Sequence, residues 1–159
     1  MSRHKYLQEC REVSKLRHKK NEFESDHYEL IEYPLIHKDI QFQLDSIGYE
    51  LLPNKERSSF LLIPPMVFEI QTHNRSVDEH TDDSLRGVLF GIYPVKQKNT
   101  GVSFYNTMTE LRGFFQGRKF KEKLSVGKLA VFNPIQTHSL IYYGEETTYM
   151  MFSVRKKRL

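Results

Sequence analysis

The sequence predicts a mainly β domain, a sandwich or jelly roll, preceded by helical elements. Three observations carry this expectation. From Phe60 onward, short apolar runs alternate with turn residues, the pattern of antiparallel strands joined by tight connections. Phe and Tyr supply a 13% aromatic content with no Trp, and flat rings pack well on pleated surfaces. Helical spacing of apolar residues is confined to two segments before Gly48, so a helical section packed on one face would complete a single domain.

The elements follow in chain order. Arg3 to Lys20 is rich in helix formers of both charge signs, and Tyr6, Cys10 and Val13 fall at helical spacing. Residues 1–27 are therefore expected to form a short amphipathic helix or a basic arm, and residues 28–159 the β domain. Tyr28 to Tyr33 reads as a strand ended by Pro34. Ile36, Ile40, Leu44 and Ile47 recur at helical spacing, with Gly48 as the stop. Phe60-Leu61-Leu62-Ile63 meets Pro64-Pro65, and Met66 to Thr72 forms a second run. Leu85 to Val95 is long and apolar, with bends or bulges expected at Gly87 and Gly91. Val102 to Tyr105 is short, and Phe114 to Leu124 is a charged edge strand. A turn at Gly127 leads into Lys128 to Phe132, which Asn133-Pro134 ends. Ser139 to Tyr143 and Thr147 to Val154 complete the set.

Composition bounds the function. A chain of 159 residues supports one domain with one sizeable core. The net charge of +4 and pI near 9.1 admit an anionic partner, nucleic acid or acidic protein, without specifying one. The single cysteine, Cys10, forms no internal disulfide and lacks the companions of a thiolate zinc site. The N-terminus is polar rather than signal-like, and no apolar run has the length of a membrane span. A reducing cytoplasm is the expected compartment.

The chemistry concentrates in Asp78-Glu79-His80-Thr81-Asp82-Asp83. In an extended strand, residues i and i+2 share a face, so His80 and Asp82 can bind one ion together. His138 follows a Gly turn and a strand. Two imidazoles and one carboxylate on one face of an octahedron leave open positions, the arrangement suited to non-haem iron(II). Two further matches, His37-Lys38-Asp39 and His27-Tyr28-Glu29, lie in or beside helical or N-terminal sequence, and no strand, Gly turn and second strand follow them.

From about Met66 to Val154 the chain resembles the iron(II)/2-oxoglutarate-dependent oxygenase superfamily, whose fold is a double-stranded β-helix. The parts occur in the family's order. An apolar strand precedes His80-Thr81-Asp82, and the long apolar strand Leu85 to Val95 follows. Thr100-Gly101-Val102-Ser103-Phe104 stands where relatives often have Gly-Gly-x-x-Phe. Val126-Gly127-Lys128-Leu129-Ala130-Val131-Phe132 matches a Gly-x-x-x-x-Phe strand leading to His138. The resemblance implies a metal site at His80, Asp82 and His138, with iron(II), 2-oxoglutarate and O2 as reactants, and hydroxylation of a substrate. Relatives place an Arg or Lys about ten residues past the second His to pair with the far carboxylate of 2-oxoglutarate. Here that region reads Glu145-Glu146-Thr147-Thr148-Tyr149, with no cation. Arg155, Arg86, Lys96 and Lys128 are the substitutes on offer, and Thr148, Tyr149 or Tyr105 would add a hydroxyl. His73 and Arg75 are expected at the mouth, facing substrate. Small relatives hydroxylate peptidyl residues, amino acids or nucleobases, and the basic charge favours a macromolecular substrate, protein or nucleic acid. Two other readings remain open. One is a cupin-like metal protein that does not use 2-oxoglutarate. The other is a non-catalytic basic module for nucleic acid, built on the cations and rings of Arg112 to Lys123.

Overall fold

A computed structural model describes residues 3–16, 27–56, 61–97, 106–115, 118–144 and 146–158. Helix α1 (Arg3–Ser14) and helix α2 (Pro34–Ser46) precede most of the sheet. The strands are β1 (Tyr28–Glu29), β2 (Tyr49–Leu51), β3 (Val67–His73), β4 (Val77–His80), β5 (Leu89–Gln97), β6 (Asn106–Phe115), β7 (Arg118–Ser125), β8 (Ala130–Phe132), β9 (His138–Ile141) and β10 (Thr147–Lys156). Two antiparallel sheets result. One runs β3-β10-β5-β8, the other β4-β9-β6-β7. Consecutive strands from β3 to β6 alternate between the sheets, and the chain then returns strand by strand in the opposite sense. This is the jelly roll, or double-stranded β-helix. β1 adds to the edge of β3, and β2 pairs with the last residues of β10, beyond where β3 ends.

Period-two alternation sorts the side chains into two cores. Phe90 and Ile92 of β5, Leu111 of β6, Leu140 of β9 and Tyr149 of β10 pack between the sheets. The alternate residues Tyr93, Val95, Met150, Phe152 and Val154 face the helices. Each fully buried side chain of this size contributes about 1.5–3 kcal/mol of transfer free energy. Gly91 sits under Phe152, whose ring an added Cβ would overlap, so only glycine lets β5 and β10 share that packing.

The helices pack on the outer face of the larger sheet. Tyr6, Cys10 and Val13 of α1 and Ile36, Ile40 and Leu44 of α2 are buried there. Pro34 opens α2, where its fixed φ suits the first turn and its missing N–H costs nothing. The Glu9 carboxylate of α1 accepts the free N–H groups of Leu35 and Ile36, each at 3.0 Å, and so closes the end of α2. Burial pushes the Cys10 thiol up to about 12, which makes it an inert core group. None of the described helices is long and apolar enough to cross a membrane.

A polar chain, buried at Tyr6 and Tyr93 and partly buried at Asp39, links the layers. The Tyr6 hydroxyl bonds that of Tyr93, and Tyr93 donates to Asp39 Oδ2 at 2.5 Å. Asp39 also accepts from Gln43 Nε2 at 2.9 Å. Tyr93→Phe removes one of these two donors to Asp39. A destabilisation of about 1–3 kcal/mol is expected, read as a lower urea midpoint at unchanged slope. His37 supplies a pH dependence. Its Nε2 is buried with no hydrogen-bond partner among the described residues, and burial holds the imidazole below the ordinary value of 6.5. The unfolded chain binds that proton more readily, so this contribution is complete above 6.5 and is lost as pH falls through the lower folded value. Urea titrations at pH 7 and pH 5.5 should show a shallower acid-side decline in His37→Gln than in wild type.

Several strands differ from the sequence expectation. Tyr28 to Tyr33 is strand only at Tyr28–Glu29. Leu30 turns into a 3-10 segment because its N–H reaches Met66 O and its carbonyl accepts from Tyr33 N. Leu61 to Ile63 forms no strand, and the Ile63 carbonyl is taken by the Ser153 hydroxyl. The single charged strand expected at Phe114 to Leu124 is instead the end of β6 and most of β7, paired antiparallel. Val102 to Tyr105 and the segment around Gly101 lie outside the described residues, as do Arg17 to Lys20.

Candidate metal centre

β4 and β9 are antiparallel neighbours, and their register sets His80 directly opposite His138. Directly opposed residues hold their Cβ atoms about 4.5–5.5 Å apart, and the two imidazole centroids are 4.4 Å apart. Asp82 lies just past the end of β4. Its N–H donates to Pro134 O at 2.8 Å, which ties the His-x-Asp segment to the turn preceding His138. The result is one ligand atom from each of His80, Asp82 and His138, all within 4.8 Å of one another. The three residues singled out in the sequence are therefore brought together.

The surroundings fit these groups for a cation. His80 Nδ1 bonds Asp78 O at 2.8 Å, and His138 Nδ1 bonds Gln136 O at 2.7 Å. A carbonyl only accepts, so each Nδ1 donates its proton there and each ring turns Nε2 inward, where it offers a lone pair when unprotonated. Those Nε2 atoms lie 3.6 Å and 3.1 Å from Asp82 Oδ2. Lone pairs facing a carboxylate at such distances repel unless a proton or a metal ion lies among them. Imidazole N–H groups anchored on backbone carbonyls are also how metal-binding histidines are oriented. His138 is 4% exposed while His80 and Asp82 are about one-third exposed. The site thus has a buried floor, where His138 packs on Phe132 with centroids 4.8 Å apart, and an open rim.

A cavity of about 180 Å³ adjoins the three ligands between the sheets. Ile92, Leu111, Phe132 and Leu140 form its apolar walls. Gln71, His73 and Tyr149 form a polar wall on β3 and β10. The Tyr149 hydroxyl bonds His73 Nε2 at 2.8 Å, and the rings stack at 5.4 Å. Burial, reinforced by the negative charges of Asp82 and Glu69, raises the Tyr149 phenol well above its ordinary value, so it stays protonated.

The other expected site residues divide sharply. Tyr149 and His73 line the cavity. Thr148 does not. It lies on the opposite face of β10, where its Oγ1 bonds Thr72 Oγ1 at 3.0 Å, because strand alternation sends 148 outward when 149 points inward. Arg155 is taken up elsewhere. Its guanidinium pairs with Glu50 at 3.3 Å and Glu56 at 2.8 Å near β2. Arg86 is exposed in the turn before β5, and Arg75 in the turn after β3. Lys128 pairs with Glu122 on the surface. Neither these residues nor Lys96 border the cavity, so no Arg or Lys among the described residues stands ready for a distal carboxylate. Tyr105 lies outside the described residues. Gln71 and Met151 line the cavity and were missed, although counting by twos back from His73 and on from Tyr149 finds both. Of the rejected His-x-acid pairs, His27 pairs with Glu69 at 3.3 Å, and Asp39 serves Tyr93 and Gln43.

No protein-family model and no curated protein matches the chain. Among solved structures it is similar to a cupin-2 domain-containing protein from Shewanella frigidimarina, at 13% identity and a TM-score of 0.34, over 57% of this chain and 70% of that one. It is also similar to an HTH_3 family transcriptional regulator from Vibrio cholerae, at 14% identity and a TM-score of 0.34, over 77% of this chain. The chain spans 60% of that regulator's length.

Proposed function

We propose that this chain is a cupin-like jelly-roll metalloprotein that holds one iron(II) ion through His80, Asp82 and His138 and takes a small ligand beside it without using 2-oxoglutarate. The observation that carries this reading is the paired orientation of the two imidazoles, each with Nδ1 on a carbonyl and Nε2 toward Asp82. Iron(II) in a two-His, one-carboxylate set supplies open positions for an organic ligand and O2. The chain's own residues do the rest. Asp82 lowers the charge of the centre, and the carbonyls of Asp78 and Gln136 hold the rings in the binding tautomer. Ile92, Phe132 and Leu140 keep water from the inner wall. Tyr149, His73 and Gln71 offer hydrogen bonds to a neutral or singly charged ligand. The cavity volume is comparable with that of cavities that hold a single six-membered ring.

A second reading is a 2-oxoglutarate-dependent hydroxylase acting on a protein residue or nucleobase. The His-x-Asp and distal His donor set favours it. The absence of a described Arg or Lys at the cavity weighs against it, since the far carboxylate would have to rest on His73 and Tyr149.

One experiment separates the two. The protein is loaded anaerobically with iron(II), mixed with 2-oxoglutarate and exposed to O2, and iron content and succinate are measured beside His80→Ala. The first reading expects one iron per chain, lost in the variant, with succinate no higher than in the variant. Succinate that depends on His80 would establish the second reading, and failure of wild type to retain iron would overturn both.

A further inference from the structure

We propose that the outer face of the four-stranded sheet docks an extended single strand of nucleic acid. Strand β7 is the free edge of that sheet. Its alternation places Lys119, Lys121 and Lys123 on the exposed side and turns Leu124 into the core. The pleat spaces these lysines about 6.8 Å apart, a regular row of charge. The adjacent strand β6 sets Phe114 beside Lys119, Arg112 beside Lys121 and Glu110 beside Lys123.

Glu110 is nearly buried and is neutralised by Arg112 at 2.7 Å and Lys121 at 3.3 Å, with the Tyr143 hydroxyl donating at 3.2 Å. It therefore organises the cations and leaves the face positive. Lys119 and Lys123 form no ion pair among the described residues. Phe114 is 40% exposed, a large ring left in solvent beside the lysine row. Arg112, Phe114, Lys119, Phe120 and Lys121 line a groove of about 660 Å³, whose wall also includes Thr137 and His138. Among the described residues, Glu79 is the one acidic residue on the groove's wall.

A positive track with an exposed ring is how single strands are held without sequence readout, through phosphate neutralisation and base stacking. An acidic peptide would supply charge but no flat base for Phe114. The proposal does not depend on the metal reading, because none of its lysines or rings is a ligand.

The test is fluorescence anisotropy of a labelled oligothymidylate 15-mer against metal-free protein, with oligoglutamate of equal length as the competitor class. Wild type should bind the oligonucleotide, with log K falling against log salt at a slope of about −2, as for three neutralised phosphates on a single strand. The triple variant Lys119→Ala, Lys121→Ala, Lys123→Ala should bind at least about tenfold more weakly and with most of that slope gone. Phe114→Ala should lose about tenfold with the slope unchanged, since stacking releases no counterions. Because Lys121 also partners the buried Glu110, the double variant Lys119→Ala, Lys123→Ala is measured beside the triple variant; it should lose affinity and slope in proportion, and its unchanged melting temperature certifies its fold. Equal or tighter binding of oligoglutamate, or wild-type affinity and slope in the triple variant, would overturn the proposal.

Discussion

Asp82→Ala should abolish metal-dependent stabilisation while leaving the metal-free protein as stable as wild type. Asp82 is one-third exposed and fills no core space, so its loss opens no cavity. Without metal its carboxylate meets Nε2 of His138 at 3.1 Å and of His80 at 3.6 Å, a contact at the open rim of the kind that contributes only about 0–1 kcal/mol. With metal bound the loss is larger. The site loses its only anionic ligand, and affinity should fall at least about 100-fold, beyond the 10–100-fold typical of losing a partner that merely orients a ligand. A metal at one hundred times its dissociation constant stabilises the folded state by about 2.7 kcal/mol, which for a chain of this length is roughly 5–10 °C in melting temperature. Thermal melts with and without iron(II) or cobalt(II) under argon read the effect. A shift in wild type that vanishes in Asp82→Ala is expected.

Gly113→Ala should damage both stability and the metal site, although Gly113 carries no side chain. It lies opposite His138 in the β6–β9 register. An added Cβ would come within 2.7 Å of the His138 Cα and collide with the Thr137 carbonyl oxygen. Both are backbone, so β9 must move as a body. Such overpacking costs about 1–3 kcal/mol, or roughly 3–10 °C at this size. The displaced strand carries the buried imidazole and the Gln136 carbonyl that fixes its tautomer. A further loss of about 10–100-fold in metal affinity follows. Calorimetric titration of the metal-free variant separates the two effects, because measurement well below its melting temperature isolates the affinity.

The ligands were legible because their chemistry is written at short range. His80 and Asp82 sit at strand spacing, and the Gly127 turn and Asn133-Pro134 bracket the strand before His138. Helix α2 was legible for the same reason, since Gly48 and the spacing of Ile36, Ile40 and Leu44 are local signals, although Ile47, counted with them, lies exposed just past the helix end. The β6–β7 hairpin was not. Rings and cations stand on both sides of the reversal, Arg112, Phe114 and Phe115 on β6 and Arg118, Lys119 and Phe120 on β7, so the sequence carries no apolar contrast at the point where the chain reverses. The polar wall was also hidden. Thr148 and Tyr149 look equivalent in sequence, and only the register of β10 against β3 decides which faces the ligands. Arg155 was drawn to Glu50 and Glu56 by the short strand β2, an element without a sequence signature.

X-ray absorption at the iron edge of the anaerobically loaded protein tests the metal centre most directly. The account predicts one iron per chain with two imidazoles and otherwise oxygen donors, and the loss of one imidazole in His138→Ala. A spectrum with fewer than two imidazoles in wild type, or one unchanged in His138→Ala, would contradict it.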